Sequence, residues 1–110
     1  MESLFSYGTL QLESVQRTTF GRLLTGTPDA IIGYSISWIE ITDAQVLATS
    51  GKTHHPIVKF TGHAEDHVEG TVFEITHEEL LRADAYEVSD YKRIEVSLRS
   101  GGKTWVYVER

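Results

Sequence analysis

The sequence contains no cysteine, which excludes a disulfide scaffold, a thiol nucleophile and a cysteine-ligated metal. Basic residues are few, ten against sixteen acidic ones, and the net charge is −6. Because binding to a phosphate backbone needs a local excess of Lys and Arg, nucleic acid is not an expected partner. No apolar run approaches the ~20 residues that cross a bilayer, and no secretory leader is visible. We therefore expect no membrane partner and a cytoplasmic location.

The remaining composition is that of one folded domain. Of the 110 residues, 40% are hydrophobic and 24% are charged, which indicates a core with an ordinary surface rather than a disordered chain. No internal repeat, low-complexity tract or polar linker divides the sequence. We predict a single domain over residues 1–110.

Hydrophobic patterning predicts six or seven strands and one or two helices. A helix is expected over residues 13–20, and a second after Thr76, where Thr76 and Glu79 match a capping box. Residues 42–67 are predicted to form an irregular excursion with a short strand at 57–60. The other predicted strands are residues 1–7, 21–27, 30–41, 68–75, 91–98 and 104–108. This order favours an α+β domain built on a small, mostly antiparallel and partly closed β-barrel.

The first candidate for chemistry is the Tyr7-Gly8-Thr9-Leu10 segment directly after the opening strand. A strand followed by Gly and Thr presents several backbone N–H groups in one concavity, which suits a carboxylate or an oxyanion. An ordinary tight turn is the alternative.

The second candidate is Glu87. Leu80, Ala83 and Glu87 share one helical face, which places a carboxylate in line with the core stripe near the helix end. Among apolar and aromatic groups its pKa would rise, and it would suit general acid/base catalysis near neutral pH. In the alternative, the helix ends at Tyr86 and Glu87 points to water.

Two further groups have simpler interpretations. His54, His55, His63 and His67 are a possible metal set, with His63 and His67 spaced for one helical face. A surface segment without bound metal is the preferred interpretation, because Gly62 and the local polarity oppose a helix. The aromatic residues Tyr91, Trp105 and Tyr107 are interpreted as core packing unless they line a pocket.

Two separated segments resemble the signatures of the gamma-glutamylcyclotransferase-like superfamily. Residues 4–10 (LFSYGTL) are similar to its YG[ST]L motif, and residues 83–96 (ADAYEVSDYKRIEV) to its LDxYEgxxYxRxxV motif. Residues 69–73 (EGTVF) and 105–108 (WVYV) are similar to two of its strands. The resemblance spans nearly the whole chain and is closest to the avirulence-induced-gene-like, or gamma-glutamylamine cyclotransferase-like, branch.

The resemblance implies a mixed barrel with a cavity at one end. It assigns the glutamyl-binding loop to Tyr7–Leu10, the catalytic acid/base to Glu87, and pocket-lining roles to Tyr91 and Tyr107. Three residues depart from the usual pattern: Arg82, Ala83 in place of Leu, and Val88 in place of Gly. These departures bear on the loop at Glu87, and therefore on substrate choice more than on fold.

The implied reaction is the release of 5-oxoproline and a free amine from a gamma-glutamyl amine, amino acid or peptide. It needs no metal or cofactor, because the substrate carries its own nucleophile and one carboxylate can move both protons. The substrate is thus the expected small-molecule partner, while the oligomeric state stays open. The alternatives are a non-catalytic member that binds a small metabolite or a protein, and a tailoring enzyme that removes a gamma-glutamyl protecting group.

Overall fold

The computed structural model describes residues 1–40, 44, 48, 54–87 and 91–110. These ranges contain seven strands, two α-helices and one 3₁₀ turn. In chain order they are β1 (Glu2–Ser6), the 3₁₀ turn (Thr9–Gln11), α1 (Glu13–Phe20), β2 (Gly26–Ile32), β3 (Tyr34–Glu40), β4 (His54–Phe60), β5 (His67–Ile75), α2 (His77–Tyr86), β6 (Tyr91–Ser97) and β7 (Lys103–Glu109). Among these described residues, neither α-helix has the length and apolar content that a bilayer crossing requires.

Five strands form one curled sheet in the order β2-β5-β1-β7-β6. Only β1 and β7 run parallel, so the sheet is mixed and mostly antiparallel as predicted. Its outer edges meet at one bridge, Ile31 to Leu98, supported by the Arg99 amide donating to the Ala30 carbonyl at 2.8 Å. β3 and β4 pair with each other in a separate two-stranded sheet. The α+β class is confirmed, whereas the barrel is not closed.

Three corrections concern the segments around β2, β3 and β4. The strand predicted over residues 30–41 is interrupted by Gly33, whose φ of +87° turns the chain and separates β2 from β3. The strand predicted over 21–27 begins only at Gly26. The strand predicted at 57–60 is confirmed but starts earlier, at His54, and pairs with β3 along its whole length, so the predicted excursion is wrong over 54–56. The strand tolerates Pro56 because it lies in a sheet with no central strand. The rest of residues 42–53, except Ala44 and Ala48, lies outside the described residues.

The central strand β1 buries both of its faces. Leu4 belongs to a core cluster with Val15 of α1 and Leu80 of α2, whereas Phe5 packs on the other side with Val58. A Cβ at Gly70 of β5 would overlap the Ser6 carbonyl oxygen, so β5 approaches the end of β1 closely. The chain that follows Ser6 therefore leaves a well-packed strand in a defined direction.

The start of α2 is held by the predicted capping box, which is confirmed. The Thr76 hydroxyl accepts from the Glu79 amide at 3.0 Å, and Glu79 Oε1 accepts from the Thr76 amide at 2.9 Å. Arg22 adds two hydrogen bonds of 2.8 Å to the same carboxylate. The Arg22 contact is the main cause that holds the pKa of Glu79 at about 2. This cluster joins the end of α1 to the start of α2.

Glu79→Gln is expected to lower the free energy of unfolding by about 1–2 kcal/mol at pH 7, because it removes the charge that Arg22 and the cap share. The pKa of Glu79 is lower in the folded chain than its ordinary value of 4.5, so this contribution is present above pH 4.5 and is lost as the pH falls towards 2. Urea unfolding of both proteins at pH 7 and pH 3 measures it. Glu78→Gln, which breaks only an exposed pair with Arg82, is the control and should cost a few tenths of a kcal/mol.

Candidate active site

The predicted site residues line a single cavity, although about eighty residues separate the two signature segments in the chain. The Tyr7–Leu10 segment follows β1, Glu87 follows α2, Tyr91 opens β6 and Tyr107 lies near the end of β7. The members of the lining are Phe5, Ser6, Tyr7, Gly8, Thr9, Leu10, Pro56, Glu87, Tyr91 and Tyr107. The predicted convergence is therefore found. The catalytic and binding roles of these residues stay predictions.

Glu87 is positioned by the helix that precedes it. It is the C-cap of α2, and its amide still donates to the Ala83 carbonyl at 3.1 Å. Leu80 and Ala83 on the same face are almost completely buried, so this face of α2 packs against the core. Glu87 itself is partly buried, and the solvent-directed alternative does not describe it.

Burial, and in second place the nearby charge of Asp84, raise the pKa of Glu87 to about 8. Among the residues that the structure describes, none donates a hydrogen bond to this carboxylate, so nothing there compensates its charged form. A carboxyl group with such a pKa exchanges a proton near neutral pH.

Three tyrosines around Glu87 each donate to a protein acceptor. The Tyr7 hydroxyl donates to the Tyr107 carbonyl at 2.5 Å, and the Tyr91 hydroxyl to the Pro56 carbonyl at 2.6 Å. The Tyr107 hydroxyl donates to Asp84 Oδ1 at 2.7 Å. Burial is the main cause that raises the pKa of Tyr7 and of Tyr107, so both phenols stay neutral. The three rings line the cavity, and the hydroxyls of Tyr7 and Tyr107 are neutral there.

The backbone after β1 turns at Gly8 into the short 3₁₀ turn. The Gly8 amide lies 3.4 Å from the Ser6 hydroxyl, and the Gly8 carbonyl accepts from the Gln11 amide at 3.1 Å. The amides of Thr9 and Leu10 donate to no acceptor among the described residues, as is usual for the first turn of a helix. A Cβ at Gly8 would lie 3.2 Å from Pro56 Cγ, so this part of the lining is tightly packed.

Four residues of the site carried no assigned role in the sequence analysis. Asp84 and Arg93 form a two-pronged ion pair beside Tyr107. The hydroxyls of Tyr86 and Thr9 are 2.7 Å apart, which ties the loop to the end of α2. Pro56 lines the cavity from β4. Asp84 and Arg93 stand inside the second signature segment, and Asp84 precedes Glu87 by three residues on the helix, which was the signal that could have identified them.

The cavity, of about 20 Å³, accommodates little more than a water molecule, and two clefts continue it. The larger, of about 390 Å³, shares Glu87, Tyr91 and Tyr107 with the cavity and adds Lys92 and Arg110. The smaller, of about 190 Å³, continues the Tyr7–Thr9 side of the cavity. Its other lining residues are Leu12, Trp38, His54 and Pro56. A ligand larger than water must extend into a cleft.

The remaining sequence predictions concern the candidate histidines and the three residues that depart from the family motif. His63 follows β4 and His67 opens β5, so they do not share a helical face. Within the described ranges, no three His, Asp or Glu side chains cluster as metal ligands would. Arg82 forms an exposed pair with Glu78, and Ala83 is buried in the core. Val88 and the side chain of His55 lie outside what the structure describes.

Solved structures of other proteins share this architecture. A solution structure from Arabidopsis thaliana has a TM-score of 0.73 at 20% identity, covering 98% of this chain and 61% of its own. A gamma-glutamyl cyclotransferase has a TM-score of 0.73 at 14% identity, covering 99% of this chain and 66% of its own. An uncharacterized protein from Pyrococcus horikoshii has a TM-score of 0.68 at 21% identity, with coverages of 99% and 78%. At these identities the likeness shows the fold.

The chain spans less than two thirds of the length of the Arabidopsis protein. No functionally curated protein matches the sequence. A family model described as "Gamma-glutamyl cyclotransferase, AIG2-like" matches residues 4–110, nearly the whole chain. The chain belongs to the Gamma-glutamyl cyclotransferase, AIG2-like family.

Proposed function

We propose that this protein is a gamma-glutamyl cyclotransferase that releases 5-oxoproline and a free amine from a gamma-glutamyl amide. The observation that carries the proposal is the Glu87 carboxyl group, which has a pKa of about 8 and lies in the cavity formed by both signature segments. Family membership supports the same reaction class.

In the proposed reaction, the α-amine of the substrate attacks its own γ-carbonyl carbon. A C–N bond forms and closes a five-membered ring, and the C–N bond to the leaving amine breaks. Glu87, ionised, takes the first proton that the α-ammonium loses and gives it to the leaving nitrogen. The second proton, which the ring nitrogen loses on becoming the lactam N–H, passes through the same carboxylate to the released amine, which leaves as an ammonium ion. A carboxyl group with a pKa near the working pH suits both transfers. Because the attack is intramolecular, positioning supplies much of the acceleration.

The loop after β1 is the proposed anion-binding part of the site. The amides of Thr9 and Leu10 would donate to the substrate's α-carboxylate or to the oxyanion that forms at the γ-carbonyl. We place the leaving amine in the larger cleft, because Glu87 lines both that cleft and the cavity. The leaving nitrogen then stays within reach of the proton that it needs.

The alternative is a non-catalytic member that binds a small metabolite. The cavity and the two clefts that continue it would serve binding without turnover equally well. The two functions differ in turnover, which makes them separable in one assay.

The test is incubation of the purified protein with a panel of gamma-glutamyl compounds, scored by 5-oxoproline release. The panel should include gamma-glutamyl amines, gamma-glutamyl amino acids and a gamma-glutamyl peptide, with α-glutamyl isomers as controls because these lack the five-membered-ring geometry. Release from at least one gamma-glutamyl compound, absent with Glu87→Gln, is expected. Saturable binding of these compounds without release would support the non-catalytic alternative and overturn the enzyme proposal.

The rate should depend on pH through Glu87. Because the base form is the ionised one, kcat/KM is expected to rise about tenfold per pH unit below pH 8 and to level off near the pKa of about 8. Initial rates between pH 5.5 and 9.5 on the best substrate measure the profile. A profile that is already flat at pH 5.5 would mean that a group with an ordinary carboxyl pKa, and not Glu87, is the base.

A further inference from the structure

A set of polar contacts beside Glu87 connects α2, β6 and β7. The Tyr107 hydroxyl donates to Asp84 Oδ1 at 2.7 Å. Arg93 donates to the same carboxylate through Nε at 2.8 Å and through its second nitrogen at 3.1 Å. The Arg93 guanidinium also lies 4.4 Å above the Trp105 ring. Each member of the set is therefore held by at least one neighbour.

The geometry fixes Asp84 more firmly than an ordinary helix-surface carboxylate. A two-pronged Arg–carboxylate contact defines the plane of both groups, and the tyrosine adds a third hydrogen bond. Trp105 in turn donates to Glu2 at 3.2 Å, so the stacked ring beneath Arg93 is itself anchored. The side chain of Asp84 is 35% exposed and that of Arg93 is 23% exposed, so this pair lies at the edge of the larger cleft.

Asp84 stands three residues before Glu87, which puts the two carboxylates on neighbouring turns of one helix face. Titratable and charged groups face Glu87 from every element around it. They are Tyr7 after β1, Asp84 of α2, Tyr91, Lys92 and Arg93 of β6, Tyr107 of β7 and Arg110 at the cleft. Of these groups, all among the residues that the structure describes, Asp84 is the acidic one.

We propose that Asp84 is a positioning residue of this site: clamped by Arg93, it fixes the Tyr107 hydroxyl and holds a second negative charge beside Glu87. The catalytic purpose of this arrangement rests on the proposed function. The effects of Asp84 on the Tyr107 hydroxyl and on the Glu87 carboxyl group do not depend on it. The first effect keeps the Tyr107 ring at the cavity wall. The second disfavours ionisation of Glu87, and so strengthens the proton affinity of a group that must carry a proton between two nitrogens.

The test is the titration of Glu87 in Asp84→Asn, followed by ¹³C NMR of the side-chain carboxyl groups. The Glu87 signal is identified by its absence from the spectrum of Glu87→Gln. Asparagine keeps an oxygen for Tyr107 and Arg93 but removes the charge, so the Glu87 midpoint is expected to fall by about one pH unit. Glu78→Gln removes the same charge from the exposed side of α2 and should leave the midpoint unchanged. An unchanged midpoint in Asp84→Asn overturns the proposal.

Kinetics on an active substrate add a second readout. The rising limb of kcat/KM against pH should move to lower pH in Asp84→Asn by the same amount as the NMR midpoint, with a lower plateau. A uniform loss of rate with an unmoved limb would show a merely structural role and would contradict the proposal. Asp84→Ser provides a second neutral replacement where Asn does not fold.

The NMR result separates this inference from the proposed function. If the wild type releases no 5-oxoproline from any compound, the proposed function fails, while the shift of the Glu87 midpoint still decides whether Asp84 acts on Glu87. If the wild type is active and the midpoint does not move, only the inference about Asp84 fails.

Discussion

Glu87→Gln is expected to lower kcat by about 10²- to 10⁴-fold on any gamma-glutamyl substrate that the wild type turns over. The amide has the size of the carboxylic acid but cannot take the α-ammonium proton at neutral pH. Because the lost step is proton transfer, KM should change little. The high end of the range is expected, since one group serves two transfers. Steady-state rates of both proteins at pH 8 measure the effect.

Two companion variants sharpen this experiment. Glu87→Asp keeps the charge but draws the carboxylate back by one methylene, so it should also lose rate. Glu78→Gln changes an exposed carboxylate of the same helix and should keep the wild-type rate. If Glu87→Gln retains more than about a tenth of the wild-type kcat, Glu87 is not the acid/base and another group must move the protons.

Local sequence rules located the helix that presents Glu87 because its signals are short-range. The capping box at Thr76 and Glu79 sets the start of α2, and the register of Leu80 and Ala83 then places Glu87 on the buried face. The same rules predicted α1 over its full length, residues 13–20. Such elements depend on contacts within one or two turns, which a sequence displays directly.

The features that local patterns missed depend on contacts between distant segments. The local pattern predicted a strand only at 57–60, whereas β4 starts at His54 because residues 54–60 all pair with β3, a partner that the local sequence does not reveal. The role of Asp84 appears only when Arg93 and Tyr107 reach it from β6 and β7. Whether two sheet edges join depends likewise on the curl of the whole sheet, and here the outer edges meet only at the bridge between Ile31 and Leu98.

The same Glu87→Gln variant is expected to be more stable than the wild type, by at most about 3 kcal/mol at pH 7. The pKa of Glu87 is about 8 in the folded chain, against its ordinary value of 4.5. Between these two pH values the unfolded chain releases a proton that the folded chain retains. The free energy of unfolding that this group contributes therefore falls as the pH rises from 4.5 towards 8. A neutral amide has no such dependence.

The measurement is urea unfolding of both proteins at pH 4, 5.5, 7 and 8.5. The difference in free energy of unfolding should be close to zero at pH 4, where both states of the wild type hold the proton, and should reach its largest value near pH 8. Glu78→Gln should show no such growth with pH, because its carboxylate is exposed. A difference that does not grow with pH would mean that the folded chain holds Glu87 ionised. In that case the buried carboxylic acid on which the proposed chemistry depends does not exist.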